Sequence, residues 1–325
     1  MGNDAIRWGI VGCGEVTEAK SGPGFQKAEG SALVAVMRRN GGLAEDYARR
    51  HGVPKWYDDA DALIRDPGVD AVYVATPPSS HLRYVLAAAR AGKPVYVEKP
   101  MGMDHAECLE MIAACEAAGV PLFVAYYRRA LPRFLKVKAL IEEGRIGAVR
   151  AVDVRYTRPA IEKDRQGVKH WRVDPKVSGG GYFHDLGSHM IDLLLFLLGP
   201  IRSAGGRSAN QGRLYDADDA ASAVFEFESG ALGTGLWNFC ADDVSDRAEI
   251  LGSEGTISYS TFGEAPVLLR RGGAVEAFDI PNPPHVQQPL IQTVVDELRG
   301  KGRCISTGRT GALTHRAMDL ILGAP

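Results

Sequence analysis

Residues 6–17 read IRWGIVGCGEVT, and this stretch decides how the first half of the chain folds. The mostly apolar run Ile6–Val11 predicts a buried β-strand. The glycine-rich turn Gly12-Cys13-Gly14 follows at once, and Glu15 and Val16 begin a predicted helix. Glycines allow a strand to turn tightly into a helix, so the stretch is typical of the start of a doubly wound parallel sheet.

The pattern set by this stretch continues to about residue 125, with short apolar strands alternating with helical segments. Such alternation predicts right-handed βαβ units and a parallel sheet. We expect strands at Ile6–Val11, Ala32–Met37, Ala71–Ala75, Pro94–Glu98 and Val120–Ala125. We expect helices near Glu15–Lys27, Leu43–His51, Asp59–Arg65, Ser80–Ala91 and Asp104–Ala118, most of them followed by a glycine that ends the helix.

The pattern changes after Tyr126. One helix (Pro132–Glu143), one strand (Val149–Thr157), a glycine-rich stretch and one leucine-rich helix (Tyr182–Leu198) are followed by strand-like segments only, up to about Ile280. Turn residues between these segments predict consecutive hairpins. We expect strands at Ala221–Glu228, Leu232–Phe239, Ala248–Gly252, Gly255–Ser260 and Val267–Arg270, then helices at Val286–Arg299 and Arg309–Leu322.

The sequence therefore predicts two domains. Residues 1–126 form an α/β Rossmann domain with a doubly wound parallel sheet. Residues 127–325 form an α+β domain with a large, mostly antiparallel open sheet.

Composition excludes several classes of partner. The chain has 38 lysines and arginines against 40 aspartates and glutamates, so it lacks the basic excess of a nucleic-acid-binding protein. Its longest apolar run, Met190–Leu198, is too short to span a membrane. The N-terminus shows no secretory signal, and the five cysteines are scattered and never spaced as CxxC. We expect a cytoplasmic protein without a disulfide framework or a structural zinc site.

The turn Gly12–Val16 predicts a dinucleotide site, because two glycines let the backbone approach a pyrophosphate. Thr17 replaces the third glycine of the usual pattern, and an ordinary turn that binds nothing is the alternative. The next predicted strand ends at Arg38 and Arg39, without the acidic residue that binds the ribose of NAD. Arginine suits the 2′-phosphate of NADP. We favour NADP(H), with NAD(H) possible and solvated surface arginines as the alternative.

Two further segments carry candidate catalytic groups. Lys99 follows the predicted strand Pro94–Glu98, at the edge where parallel sheets bind ligands. The segment GGGYFHDLGSHMID (179–192) spaces Asp185, His189 and Asp192 so that an α-helix places them on one face. With His184 they are metal-ligand types, but His184 points away from that face, and we predict no metal site.

The motifs GxGxx at 12, ATPP at 75–78, EKP at 98–100 and GGGxxxDxGxHxxD at 179–192 resemble the glucose-fructose oxidoreductase, inositol 2-dehydrogenase and MocA family. The resemblance covers essentially the whole chain. It implies that Lys99 and His189 meet at the nicotinamide, with Asp185 beside them. It also implies a cis peptide bond between Lys99 and Pro100.

The same resemblance implies a wider set of cofactor-binding residues. For His81, a packing or capping role is as reasonable as a ligand role. The implied set is Gly12, Cys13, Gly14, Glu15, Val16, Arg38, Arg39, Thr76, Pro77, His81, Glu98, Lys99, Arg128, Trp171 and Arg172.

The resemblance implies an NAD(P)-dependent oxidoreductase that moves hydride between nicotinamide C4 and a carbinol or carbonyl carbon of a small polyhydroxylated substrate. Lys99 and His189 would handle the hydroxyl proton. The alternatives are a dehydrogenase of aromatic dihydrodiols and a non-catalytic dinucleotide sensor of the same fold. The resemblance also implies that residues 127–325 bind the substrate and form a homodimer or homotetramer through their sheet. The loop Arg158–Lys176 carries no motif that identifies the substrate.

Overall fold

The computed structural model describes residues 5–323. The first four residues, which bear on the prediction about a secretory signal, lie outside this range. The chain divides into two compact units. Unit one holds the described residues up to Leu131 together with Pro283–Ala312, and unit two holds Pro132–Asn282 with the described residues from Leu313 onward. The sequence placed the division at Tyr126 and did not predict the return of the chain to unit one.

Unit one contains a six-stranded parallel sheet in the order β3-β2-β1-β4-β5-β6, as predicted for a doubly wound fold. The strands β4, β5 and β6 are buried at every residue, which explains their unbroken apolar sequences. The strands are β1 (Ile6–Val11), β2 (Ser31–Met37), β3 (Lys55–Tyr57), β4 (Ala71–Val74), β5 (Val95–Val97) and β6 (Leu122–Val124).

Three helices of unit one begin at side-chain caps, supplied by Asn40, Asp59 and Asp104. The Asn40 carboxamide accepts a hydrogen bond from the Leu43 amide, and the Asp104 carboxylate accepts one from the Glu107 amide. The glycines predicted to end helices do so, as at Gly52, where φ is 64°. The helices of unit one that precede Leu131 are α1 (Glu15–Ala19), α2 (Ser21–Lys27), α3 (Gly41–His51), α4 (Ala60–Arg65), α5 (His81–Arg90) and α6 (His105–Ala117).

Two predictions for unit one need correction. The helix predicted over Glu15–Lys27 is broken at Lys20, because Pro23 has no amide hydrogen to donate and is tolerated only in a first helical turn. The strand β3 was missed because it has only three residues and two of them are exposed. It lies at the edge of the sheet, where no apolar pattern is required.

Unit two contains an eight-stranded sheet in the order β14-β13-β12-β11-β7-β10-β9-β8. All neighbouring strands are antiparallel except β7 and β10, which pair in parallel, so the sheet is mostly antiparallel as predicted but is not a simple series of hairpins. The strands are β7 (Val149–Thr157), β8 (Ile201–Ala209), β9 (Ala220–Phe227), β10 (Leu232–Asn238), β11 (Ser245–Gly252), β12 (Thr256–Tyr259), β13 (Val267–Arg271) and β14 (Ala274–Phe278).

The two edge strands of this sheet, β8 and β14, were not predicted. The middle of β8 is polar and glycine-rich, and four of the five residues of β14 are exposed, so neither strand shows a buried face. The helices that complete the described chain are α7 (Pro132–Glu142), α8 (Glu162–Arg165), α9 (Pro175–Ser178), α10 (Ser188–Leu198), α11 (Gln288–Leu298) and α12 (Gly308–Leu322).

The leucine-rich helix predicted over Tyr182–Leu198 has two parts. Phe183–Gly187 form one turn of π-helix, and α10 continues from Ser188. A π turn carries i→i+5 hydrogen bonds and shifts the helix face, so the α-helical spacing used for Asp185 and His189 does not hold across it. None of the helices within residues 5–323 is long and apolar enough to cross a membrane.

Candidate active site

The predicted binding residues of unit one follow neighbouring strands of the parallel sheet. The turn Gly12–Val16 follows β1, Arg38 and Arg39 follow β2, Thr76 and Pro77 come soon after β4, and Glu98 and Lys99 follow β5. Since all six strands run in the same direction, these segments share the carboxyl edge of the sheet, where open α/β sheets bind ligands.

The glycine turn has the shape that a dinucleotide requires. Gly12 has φ of +96°, and a Cβ atom there would lie 3.0 Å from the Thr76 backbone nitrogen, so the position excludes a side chain. Gly14 differs, because its φ is −140° and a Cβ atom would meet only the Gly12 carbonyl oxygen, at 3.9 Å. The space over Gly14 is therefore open to a ligand. These residues fit a bound dinucleotide.

The residues around this turn are held by internal contacts. Thr17, which replaces the third glycine, is buried and donates a hydrogen bond through Oγ1 to the Gly14 carbonyl oxygen at 2.8 Å. Cys13 is also buried, and burial raises the pKa of its thiol to about 11, an effect opposed by the positive charge of Arg38. Arg38 and Arg39 are exposed at the end of β2, available to a charged ligand group.

His81 does not contact solvent in this structure. Its ring is fully buried, with Nε2 2.7 Å from the Thr76 carbonyl oxygen and Nδ1 3.1 Å from that of Pro100. Burial lowers the pKa of the imidazole, while the carbonyl groups oppose this effect. The ring thus connects the segment after β4 with the segment after β5. This geometry favours the packing role over a ligand role.

Glu98 and Lys99 are neighbours with different surroundings. The Glu98 carboxylate is buried and accepts hydrogen bonds from the Tyr73 hydroxyl at 2.5 Å and from Gln287 Nε2 at 2.9 Å. Gln287 precedes α11 and was not predicted to belong to the site. Lys99 is half-buried, and the Lys99–Pro100 peptide bond is cis, which confirms that prediction. Glu98 is thus engaged inside unit one, whereas Lys99 stands at the sheet edge.

Arg128 is the last predicted residue of unit one. It lies in the short 3₁₀ turn Tyr127–Ala130, and it is buried. Its guanidinium carbon lies 4.9 Å from the centre of the Tyr127 ring, in position for a cation–π contact.

The candidate residues of unit two converge at the π turn. Asp185 lies within that turn, and its Oδ2 accepts a hydrogen bond from Arg172 Nε at 3.1 Å. The Arg172 guanidinium also lies 4.6 Å from the centre of the Trp171 ring. The turn Trp171–Val173 and the π turn are therefore connected through Arg172 and Asp185. The sequence placed Trp171, Arg172 and Asp185 in the site but did not predict this ion pair.

His189 and Asp192 are buried side chains of α10. The Asp192 carboxylate accepts a hydrogen bond from Thr314 Oγ1 at 3.1 Å, which occupies it within unit two. His184, also buried, has its imidazole pKa lowered to about 4 by burial. His189 and Lys99 belong to different units, so the meeting of their side chains at one substrate stays a prediction.

A metal site was the alternative use for these acidic and histidine side chains. Among the residues that the structure describes, no group of three or more histidine, cysteine, aspartate or glutamate side chains has the arrangement of a metal site.

A second polar cluster in unit two was missed by sequence analysis. The buried Asp164 carboxylate accepts hydrogen bonds from His170 Nε2 at 2.9 Å and from the Tyr182 hydroxyl at 3.0 Å. These residues have no recognisable spacing in the sequence, and only the fold brings them together. A signal was present in the loop Arg158–Lys176, where nine of 19 residues are charged and no apolar periodicity is seen.

Comparison with known proteins gives matches over almost the whole chain. Residues 6–126 match the model of the oxidoreductase family with an NAD-binding Rossmann fold, and residues 134–258 match the GFO/IDH/MocA C-terminal domain. Oxidoreductase P35 of Formosa agariphila is 39% identical over 320 residues, which are 98% of each chain.

Two further relatives show how widely the match extends. The scyllo-inositol 2-dehydrogenase (NAD⁺) of Bacillus subtilis is 30% identical and covers 95% of this chain and 89% of its own length. The crystal structure of aldose-aldose oxidoreductase from Caulobacter crescentus, complexed with glycerol, superposes with a TM-score of 0.88 at 25% identity, covering 98% of this chain and 97% of the other. The chain therefore belongs to the Gfo/Idh/MocA family and is an oxidoreductase with a Rossmann domain for a nicotinamide dinucleotide.

Proposed function

We propose that this oxidoreductase transfers hydride between nicotinamide C4 and a carbinol or carbonyl carbon of a small polyhydroxylated substrate, such as a sugar or an inositol. The observation that carries the proposal is the carboxyl edge of the unit one sheet. There the open glycine turn follows β1, and Lys99 follows β5, with β4 between them. Two similar proteins are named for inositol and aldose substrates.

The bound dinucleotide would supply the hydride acceptor or donor. Gly12 and Gly14 would allow the backbone to approach its pyrophosphate. Arg38 and Arg39 would bind the 2′-phosphate of NADP(H), because no acidic residue lies at the end of β2 to bind the free ribose hydroxyl. NADP(H) is therefore the preferred cofactor in this proposal.

Lys99 and His189 would act on the substrate oxygen. An imidazole titrates near neutral pH, so His189 suits the transfer of the hydroxyl proton. The Lys99 ammonium group would stabilise negative charge on the oxygen and hold it by a hydrogen bond. Asp185 would help to orient His189, and its hydrogen bond from Arg172 fixes the carboxylate for that task.

The test is a turnover assay in which NADPH and NADH are each combined with ketoses, inososes and aromatic diketones, and the oxidised cofactors with the matching alcohols. We expect turnover of a sugar or inositol substrate and loss of that turnover in Lys99→Met. Turnover of aromatic diols alone would show that the substrate is an aromatic diol and not a sugar or an inositol. Binding of either cofactor without turnover of any compound would favour a dinucleotide-binding sensor.

The proposal includes an oligomer formed through the unit two sheet. One face of β9 and β10 carries large apolar side chains that are exposed in the single chain, Val224 at 61% and Leu232 at 61%. Burial of such a patch against a second copy would remove apolar surface from water. Light scattering of the wild type and of Val224→Glu tests this: we expect a dimer or tetramer that the variant weakens.

All five cysteines are free thiols, which suits a reducing cytoplasm.

A further inference from the structure

Unit two contains a cleft of about 380 Å³ between the stretch Asp164–Asp174 and the turn Leu214–Asp216. We call it the loop cleft. Its volume lies within the range of small-molecule sites, roughly 300–1,000 Å³. The loop that forms one wall, Arg158–Lys176, carries no motif that identifies a substrate. The loop cleft is therefore a candidate for the missing specificity site.

The floor of the loop cleft is fixed by the Asp164 cluster. The Asp164 side chain is fully buried, and a buried carboxylate is costly unless it is hydrogen-bonded. Two donors supply those bonds, His170 Nε2 and the Tyr182 hydroxyl. Because Nε2 of His170 faces Asp164, Nδ1 is the ring nitrogen left for a ligand. A well-held ring nitrogen in a cleft wall suits a ligand hydroxyl group, which can both donate and accept a hydrogen bond.

The opposite wall supplies a donor. Tyr215 lines the loop cleft, and its hydroxyl is buried without a hydrogen-bond partner among the described residues. An unpaired buried hydroxyl is unfavourable, and a ligand oxygen would satisfy it. The ring of Tyr215 packs edge-to-face on that of Tyr182, with centroids 5.9 Å apart. Trp171 contributes a second aromatic surface, so the loop cleft combines ring faces with hydroxyl-binding groups.

The charges of the loop cleft argue against an anionic ligand. Its lining includes three carboxylates, Asp164, Asp174 and Asp216, against one lysine and one histidine. A phosphate or carboxylate group would be repelled by this excess of negative charge. Neutral hydroxyl groups donate well to carboxylates, and the C–H faces of a sugar ring pack on aromatic rings, whose faces are electron-rich.

The loop cleft adjoins the candidate catalytic residues of the same unit. Trp171 lines it, and the next residue, Arg172, donates the hydrogen bond to Asp185. A ligand in the loop cleft would thus lie one residue from the group that holds the candidate catalytic carboxylate. We propose that the loop cleft binds a neutral saccharide unit joined to the sugar that reacts, so that the substrate is a disaccharide or glycoside. This inference rests on the proposed oxidoreductase function.

Calorimetric titration of the full chain tests the inference without turnover. The probes are glucose, glucose 6-phosphate and the disaccharides cellobiose, maltose and lactose. We expect at least one disaccharide to bind more tightly than glucose, and glucose 6-phosphate to bind no better than glucose. Tyr215→Phe removes one hydroxyl and should weaken disaccharide binding by about three- to tenfold, with glucose unchanged. The matched control is Tyr84→Phe in unit one, which should change neither affinity.

Three outcomes would overturn the inference: no disaccharide binding tighter than glucose, equal losses for glucose and disaccharide in Tyr215→Phe, or tighter binding of glucose 6-phosphate. A repeat in Lys99→Met separates this inference from the proposed function. Disaccharide binding that depends on Tyr215, without oxidation of the disaccharide by the wild type, would overturn the inference that the bound disaccharide is the substrate, and the proposed oxidation of a sugar or an inositol would still be decided by the turnover assay. Disaccharide oxidation that is insensitive to Tyr215→Phe would overturn the role of the loop cleft and leave the proposed function intact.

Discussion

The fold positions the residues at the carboxyl edge of the unit one sheet and those around the loop cleft of unit two by different means. At the sheet edge, each candidate residue directly follows a strand or lies a few residues after it, so its position depends on local sequence. In the loop cleft, Asp164, His170 and Tyr182 meet only because a loop folds back on a helix. The first kind of site is therefore visible in a sequence, and the second is not.

The largest expected effect tests whether Lys99, at the carboxyl edge of the unit one sheet, and His189, in unit two, act together. Lys99→Met and His189→Ala should each lower kcat by about 10²–10⁴-fold, the usual range for acid–base assistance. The double variant should lose little more than either single one, because groups that act on one proton are not additive. Cofactor Kd should change little.

The control for this experiment is Lys27→Met, an exposed lysine of α2. Wild-type kcat in His189→Ala would remove the histidine from the mechanism. Additive losses in the double variant would show that the two side chains act in separate steps.

The next largest effect is expected on the choice between NADPH and NADH, which in our proposal depends only on residues at the sheet edge. Arg38→Ala with Arg39→Ala should weaken NADPH binding by about 10²–10⁴-fold, since each charged hydrogen bond to a phosphate is worth about 1.5–3 kcal/mol and two are removed. NADH binding should be unchanged. Titration calorimetry measures both affinities, with the exposed Arg65→Ala as the control. Tighter NADH than NADPH binding in the wild type would refute the preference.

Substitutions at the two glycines of the turn after β1 distinguish an effect on protein stability from an effect on cofactor binding. In Gly14→Ala the new methyl group meets only the Gly12 oxygen at 3.9 Å, so the melting temperature should not change. The methyl group would occupy the space for the pyrophosphate, and we expect cofactor affinity to fall about tenfold or more. Gly12→Ala should lower both the melting temperature and the cofactor affinity, because the φ of Gly12 is positive and the new methyl group would clash with Thr76. A Gly14→Ala protein that binds cofactor normally would contradict the assigned site.

A smaller effect is expected for the ion pair in unit two. Arg172→Met and Asp185→Asn should each reduce kcat by about three- to tenfold, the value of one hydrogen bond, which is less than the loss in His189→Ala. The double variant should match the single ones, since both remove the same contact. Arg172→Lys should recover only part of the activity, because lysine lacks the planar guanidinium. Losses that add would show that Arg172 acts independently of Asp185.

The smallest expected effect concerns the helix after the glycine turn. Arg50 donates to Glu18 and lowers the pKa of that carboxyl to about 2, with a contribution from His51. A lowered folded-state pKa gives stability that is present above the unfolded value near 4.5 and is lost as the pH falls toward 2. Because Glu18 is 39% exposed, Glu18→Gln should cost less than about 1 kcal/mol at pH 7. Urea unfolding at pH 7 and pH 3 should show the difference shrinking at the lower pH.

The sequence predicted the two-domain fold class and the sheet-edge residues because both depend on periodicity and on glycine turns. It failed at Lys20, where one proline divides a helix, and at Phe183–Gly187, where a π turn replaces an α turn. It also failed at Pro283–Ala312, whose return to unit one depends on long-range packing such as the hydrogen bond from Gln287 to Glu98. The helix break is encoded locally, by Pro23, whereas the return of Pro283–Ala312 depends on tertiary contacts that no local pattern encodes.

The cysteine between the two glycines has a consequence for how the protein withstands oxidants. Thiols react with peroxides and alkylating agents as thiolates, and the Cys13 thiol is buried with a pKa near 11. At neutral pH almost none of it is ionised. The cofactor turn is thus chemically inert although it contains a sulfur atom, and iodoacetamide or mild peroxide should leave dinucleotide binding intact without any added reductant.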